Sequence, residues 1–195
     1  MKRLTLLTAA ALAAACSQAS SPSQDGPTVT PVYSKETGRL EELTSDRDGD
    51  GKIDTRAFMD GARVVRVEID RDGDGRTDRW EYYAAGGDAG APTIERADEA
   101  GASDGRITRR MFYEDGLLRR VEEDTDGDDR VDKWEHYTRG VLDHVDLDLA
   151  GRGAPTQRLV YGAGGNVDRV ESDPDGDGTF VAVRPGPAQA KPATP

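Results

Sequence analysis

The sequence predicts an all-β fold, a tandem repeat of short β-hairpins joined by Asp/Gly loops. Self-similarity is the first reason. Residues 46–54 (DRDGDGKID), 70–78 (DRDGDGRTD), 124–132 (DTDGDDRVD) and 173–181 (DPDGDGTFV) share one pattern, and recurrence at a fixed period marks a repeat architecture. The second reason is what lies between the loops: short β-branched and aromatic runs broken by a Gly turn, which read as hairpins.

The loops set the period. Starts at 46 and 70 are 24 residues apart, and the 49 residues from 124 to 173 hold two such units. The worn copy between them is residues 148–156 (DLAGRGAPT), which keeps the glycines and loses most acids. Another worn copy falls within residues 98–108 (DEAGASDGRIT), and its internal register is left open by the sequence. About six loops result, four of them acidic.

Each loop is followed by an aromatic-bearing stretch: Phe58 and Met59, then Trp80, Tyr82 and Tyr83, then Phe112 and Tyr113, then Trp134, His136 and Tyr137, then Val160 and Tyr161. Asp60 with Gly61, Asp115 with Gly116, and Arg139 with Gly140 supply turns. The stretch after each turn breaks strict alternation, because Leu40/Leu43, Leu118/Val121 and Leu142/Val145 recur three apart. A bulged strand or a short helix both fit that spacing. Strand is favoured, since Gly and Pro punctuation leaves segments too short for a stable helix. Trp80 and Trp134, at equivalent positions, are expected to pack between repeats.

Apolar residues make up 35% of the 195, aromatics 6% and charged residues 33%. The core is therefore thin, and something besides apolar burial is expected to help hold it. A formal net charge of −12 argues against nucleic acid or anionic lipid as a partner and favours cations.

The two ends differ from the middle. Lys2 and Arg3 precede an uncharged run from Leu4 to Ala15, too short to span a bilayer and fitting the apolar region of a secretory signal over residues 1–15. That run ends at Cys16, the single cysteine. Leu12 through Cys16 resembles the lipobox of bacterial lipoproteins, with Leu12 four residues before the cysteine where the family has it three before. The resemblance implies an exported protein diacylated on Cys16, with Ser17 implying sorting to the outer membrane. Residues 16–31, rich in Ser, Pro and Gln, read as a flexible tether. Residues 184–195 read as a disordered Pro/Ala tail. The repeat domain is thus assigned to residues 32–183.

The acidic loops carry the chemistry. In D-x-D-G-D-G-x-x-D, oxygen ligands stand at positions 1, 3, 5 and 9, Gly at position 6 permits the sharp turn, and position 7 offers a backbone carbonyl. The expected ligands are Asp46, Asp48, Asp50, Lys52 and Asp54 in the first loop, and Asp70, Asp72, Asp74, Arg76 and Asp78 in the second. Asp124, Asp126, Asp128, Arg130 and Asp132 follow, and then Asp173, Asp175, Asp177 and Thr179. Position 12 is Glu81 and Glu135 in the second and third of these sets, so those loops are expected to bind more tightly. Asp129 stands where the pattern wants Gly, a place that Asp tolerates better than most residues. Spacing and oxygen chemistry fit a hard cation such as Ca²⁺. Zinc would want Cys or His, which these loops lack.

The loops resemble EF-hand and thrombospondin type 3 calcium loops. The first likeness stops at the loop, because a 24-residue period has no room for flanking helices; the second lacks that family's cysteines. The hairpins are similar to the tandem β-repeats of bacterial surface proteins. These resemblances imply a calcium-binding envelope lipoprotein, anchored to a membrane through Cys16, on the periplasmic or cell-surface face. Its role would be a structural or adhesive module meeting an envelope protein or a glycan, or else a calcium buffer or sensor. The worn loops favour the module, since an array kept for ion capacity should keep its ligands. No enzyme is expected. Gly49 to Lys52 lacks the phosphate-loop pattern, and His136 (in an aromatic slot of its repeat) and His144 read as structural.

Overall fold

The computed structural model describes residues 28–84, 92–101 and 104–183. Cys16, the signal segment, most of the tether and the tail lie outside them. The described chain is all-β. Its thirteen strands form one sheet in which sequence order is spatial order, and every pairing is antiparallel. In order they are β1 (Thr28–Tyr33), β2 (Leu40–Asp46), β3 (Thr55–Asp60), β4 (Arg63–Ile69), β5 (Arg79–Tyr83), β6 (Ile94–Ala100) and β7 (Ile107–Glu114). Then come β8 (Leu117–Glu123), β9 (Lys133–Thr138), β10 (Val141–Leu147), β11 (Gln157–Tyr161), β12 (Val167–Ser172) and β13 (Val181–Ala182). Strand β1 opens at Thr28, inside the stretch read as tether, because residues 28–33 find a partner edge in β2. The described sheet therefore includes four residues, 28–31, that composition placed in the tether.

Contacts between elements join only consecutive strands. Among the described residues no second layer covers the sheet and its ends do not close into a barrel. Each hairpin is held by its neighbours alone, which makes stability a sum of local terms.

The pleat sorts the side chains. On one face, Ala97, Met111 and Val121 stand side by side across β6, β7 and β8 and form a small buried cluster. Ile94, Tyr113, Leu118 and Tyr137 pack around it. The adjacent row on that face alternates in charge, Arg79–Glu99–Arg109–Glu123–Lys133. Arg79 meets Glu99 at 2.6 Å and Lys133 meets Glu123 at 3.0 Å. Opposite charges placed directly across a strand pair stabilise it where apolar area is scarce.

The three-residue apolar spacing has a structural cause. Pairing slips by one residue at the same place in each hairpin, so Val32 and Tyr33 face Glu42 and Leu40, and Phe112 and Tyr113 face Arg120 and Leu118. The same slip recurs in β4, β6, β10 and β12. Each second strand thus carries a β-bulge that returns residues three apart to one face. The bulged strand is the observed alternative, and no helix is present among the described residues.

The opposite face is polar and aromatic. Arg66 lies over Phe58 at 4.1 Å, Arg96 over Tyr82 at 4.1 Å and Arg120 over Phe112 at 4.7 Å. Trp80 sits between Glu68 and Asp98, and Trp134 between Glu122 and Asp146. Both tryptophans are half-buried on this charged face and not in the apolar cluster, because their neighbours Glu81 and Glu135 occupy the other side of the pleat.

Two-residue turns join three of the hairpins at one edge, β3–β4, β7–β8 and β9–β10. Asp115 and Gly116 (φ 51° and 74°) and Arg139 and Gly140 (φ 53° and 77°) are left-handed at both central positions, the type I′ geometry that matches strand twist. Arg139 is poorly suited to that conformation. Arg139→Asn is expected to stabilise the protein by about 0.5–1 kcal/mol; an unchanged urea midpoint would show that the turn tolerates arginine.

Candidate metal-binding loops

The Asp/Gly loops all emerge at the other edge of the sheet, because hairpin turns and loops alternate along the meander. Two backbone hydrogen bonds register them. The position 9 amide reaches the carbonyl just before position 1, as in Asp54 to Ser45 at 2.9 Å and Asp78 to Ile69 at 2.9 Å. The position 1 amide reaches the position 9 carbonyl of the preceding loop, as in Asp70 to Asp54 at 2.8 Å and Asp148 to Asp132 at 2.8 Å.

That rule settles the worn third loop. Ala100 donates to Asp78 at 2.8 Å and Asp124 donates to Thr108 at 2.8 Å. Position 1 is therefore Ala100 and position 9 is Thr108. Asp98 belongs to β6, and Gly105, at φ 73°, takes position 6. The sequence hid this register because the loop lacks its first aspartate and the preceding turn is longer. Loop starts now read 46, 70, 100, 124, 148 and 173.

Inside each acidic loop the carboxylates hold the turn. Asp70 is buried, and its two oxygens accept the amides of Gly73 and Gly75, both at 2.8 Å. Asp46, Asp124 and Asp173 do the same with positions 4 and 6 of their own loops. Position 9 accepts the position 2 amide: Asp54 from Arg47 at 2.5 Å, Asp78 from Arg71 at 2.7 Å, Asp132 from Thr125 at 2.9 Å. Positions 3 and 5 only cap the amide two residues on, as Asp72 does for Asp74 and Asp74 for Arg76. Burial raises the Asp173 carboxyl, but the Gly178 and Gly176 amides outweigh it and hold the group below its ordinary range. Asp129 fills position 6 of its loop at φ 73°, as the residue type allows.

The loop beginning at Asp148 isolates what the turn needs. Ala150 and Arg152 occupy positions 3 and 5 there, yet Asp148 still accepts the Ala150 and Gly153 amides at 3.1 and 2.5 Å. The Thr156 hydroxyl accepts the Leu149 amide at 3.2 Å in place of a carboxylate. Positions 1 and 9 are enough to shape the loop. The acids at 3 and 5 are surplus to it.

In every acidic loop the surplus acid at position 3 converges with acids that shape the turn, joined in the first and last loops by position 5. Oxygens of Asp46, Asp48 and Asp50 lie within 4.8 Å of one another, as do those of Asp70, Asp72 and Asp78, of Asp124, Asp126 and Asp132, and of Asp173, Asp175 and Asp177. Each group could hold a metal ion. Asp54 stays with the Arg47 amide, while Asp74 and Asp128 cap Arg76 and Arg130 at the rims of their loops. Of the position 7 residues, the Lys52, Arg76, Arg130 and Thr179 amides bind the position 5 carboxylates. The Lys52 ammonium reaches across to the Gly73 carbonyl of the next loop at 2.5 Å, Arg106 reaches the Gly127 carbonyl at 3.2 Å, and Arg152 reaches the Pro174 carbonyl at 3.4 Å. Arg106 also pairs with Asp129.

Glu81 and Glu135 are not brought into the clusters. Three residues of extended chain carry position 12 about 10 Å along the strand, where a helix would have curled it back. Glu81 instead takes Arg79 at 2.7 Å and the Tyr83 hydroxyl at 2.6 Å. Glu135 takes Lys133 at 2.8 Å and the Tyr137 hydroxyl at 2.7 Å. The carboxylate clusters of these two loops therefore contain no twelfth-position acid. Burial and the hydrogen bond to Glu135 push the Tyr137 phenol up to about 12, and burial with the hydrogen bond to Glu81 raises Tyr83 further.

No family model matches the chain, and no curated protein does. Among solved structures, a GtfA/B complex is similar over 55% of this chain and 19% of its own, at 15% identity and TM-score 0.39. A point mutant of S. aureus TarM, in complex with fondaparinux, α-GlcNAc-glycerol and UDP, is similar over 68% of this chain and 19% of its own, at 10% identity and TM-score 0.31. Accessory secretory protein 1, 2 and 3 of Streptococcus pneumoniae gives 68% and 18%, at 12% identity and TM-score 0.21. The chain spans under a fifth of the length of these proteins. Such likenesses carry no functional weight.

Two outcomes follow from the geometry. With chelator present, Asp70→Ala should cost about 2–3 kcal/mol, because two loop amides lose their acceptor, while Asp72→Ala should cost under about 1 kcal/mol; equal costs in denaturant melts would refute the division of labour. In an alkaline absorbance titration, Tyr83 and Tyr137 should ionise well above the ordinary 10.0. Glu135→Gln should bring Tyr137 back toward it, and simultaneous titration of all six tyrosines would remove the pairing.

Proposed function

We propose that the protein is a calcium-binding envelope lipoprotein, a structural or adhesive module whose fold Ca²⁺ stabilises. The observation that carries this reading is the surplus of acids. The Asp148 loop keeps its turn without carboxylates at positions 3 and 5, yet the four acidic loops keep both and gather three carboxylates within 4.8 Å. Unbalanced carboxylates at that distance repel one another, so a cation in their midst relieves a cost the loop otherwise bears. All-oxygen donors suit a hard ion, and Ca²⁺ accepts the irregular geometry such loops offer.

Export and anchoring rest on the lipobox-like end at Cys16, with acyl chains holding the array at the membrane. A single-layer sheet with both faces open suits contact with an envelope protein or glycan.

Ion binding to the folded loops alone adds stability by mass action, about 2.7 kcal/mol for one site at a hundred times its Kd. The melting temperature should therefore rise in millimolar calcium over EGTA. Asp72→Asn with Asp74→Asn should shrink that rise and leave the EGTA melt nearly unchanged. Identical melts with and without calcium would end the proposal.

A further inference from the structure

One strand pair departs from the pattern of the polar face. In three hairpin junctions an aromatic side chain on one strand faces an arginine on the next: Phe58 with Arg66, Tyr82 with Arg96, Phe112 with Arg120. Two residues beyond each arginine stands an acid that pairs with it, as in Arg66–Glu68 at 2.9 Å and Arg120–Glu122 at 2.9 Å. Between β9 and β10 both members change together. His136 stands in the aromatic slot and His144 in the arginine slot, directly opposite each other. They are the two histidines of the whole chain. The acid is retained as Asp146, 5% exposed.

With histidine in place of arginine the strand pair has no guanidinium of its own here; Arg158 on the next strand pairs with Asp146, and two imidazoles and a carboxylate face one another. The imidazole rings stack at 4.3 Å, 11° from parallel. Asp146 Oδ2 lies 3.6 Å from His136 Nε2 and 3.8 Å from His144 Nε2. Nδ1 of His144 sits 2.7 Å from the carboxylate of Asp143, the residue expelled by the bulge of β10. In the tautomer that donates Nδ1–H to Asp143, Nε2 is the nitrogen available to a metal. A carboxylate behind the far nitrogen of a histidine is the arrangement that orients metal-ligating imidazoles. Arg158 holds Asp146 Oδ1 through its Nε at 2.6 Å and touches Oδ2 through Nη2 at 2.9 Å. A cation at the cluster would take over Oδ2 and leave Oδ1 with Arg158.

We propose that His136, His144 and Asp146 form a second, chemically distinct metal site, for a borderline divalent transition ion such as Zn²⁺ or Co²⁺. Two imidazole nitrogens and one carboxylate oxygen suit these ions and not Ca²⁺. Four-coordinate bonds near 2.1 Å put neighbouring ligand atoms about 3.4 Å apart, so the observed 3.6 and 3.8 Å separations ask for a small contraction, and the two rings, stacked 11° from parallel, must turn out of the stack so that their nitrogen lone pairs converge on the ion. Three ligands from one sheet face leave the outward coordination position to water or to a group on a partner. The site is independent of the calcium loops, which lie at the sheet edge and contain no histidine.

The test uses the full mature chain with Trp80→Phe, in millimolar calcium so that the aspartate loops are filled. Trp134, cross-strand partner of Asp146, then reports on the site. Titrated Co²⁺ should quench it saturably at one ion per chain with a visible d–d band, and equimolar Zn²⁺ should abolish the band. Asp143→Asn should weaken binding about tenfold. The decisive variant is His136→Phe with His144→Arg, which restores the pair used by the sister hairpins and should fold at least as well. It should lose the saturable quenching and the band. Undiminished Co²⁺ binding by that variant, or no saturable binding by the parent chain, would overturn the assignment.

Discussion

At the head of each acidic loop, an aspartate gives both of its oxygens to amides of the turn that follows. In three of the four, an aspartate at position 9 takes the amide at position 2. A single-layer sheet has no opposing layer to force the chain round, and these carboxylates do that work locally. They also explain how so acidic a chain folds at all. A large share of its acids are neutralised by N–H groups or by arginine and lysine across a strand, so the charge is spread over fixed dipoles and ion pairs.

With the turns fixed, the sheet builds itself by nearest neighbours. The buried cluster around Ala97, Met111 and Val121 is small, and on either side of it cohesion passes to ladders of alternating charge on one face and arginine over aromatic rings on the other. The bulge repeated in each second strand keeps both ladders in register and turns one residue of every hairpin out of the pleat. In β10 that residue is Asp143, and its displacement is what brings it beside His144.

Much of this was legible in the residues. Fixed offsets of Asp and Gly gave the loops, and aromatic runs beside Gly turns gave the strands, because both patterns reflect local backbone demands. The apolar pairs three apart were visible too, but the choice between helix and bulge depends on which strand lies alongside. The roles of the aspartates were less legible. Position 1 and position 3 look alike in sequence, and only the hydrogen bonds separate the one that shapes the loop from the one left over. The positions of Glu81 and Glu135 were hidden for a related reason. Counting to position 12 assumes a helix, and an extended strand takes the same residue elsewhere. The register at Ala100 needed the ladder, since its loop has no aspartate to count from.

Loops leave the sheet once every two strands, which spaces neighbours about 9.5 Å apart along the edge. Physiological salt screens charge over about 8 Å. Acid-rich loops occupy the first, second, fourth and sixth places, so beyond the first pair they stand about 19 Å apart, two worn loops acting as spacers. Any ions held in the fourth and sixth loops would be electrically almost blind to one another and to the rest. The first two loops alone lie close enough to interact, and there the Lys52 ammonium bridges to Gly73 between them. Such an edge would fill one loop at a time over a wide range of ion concentration, with no sharp threshold, as suits a scaffold better than a switch.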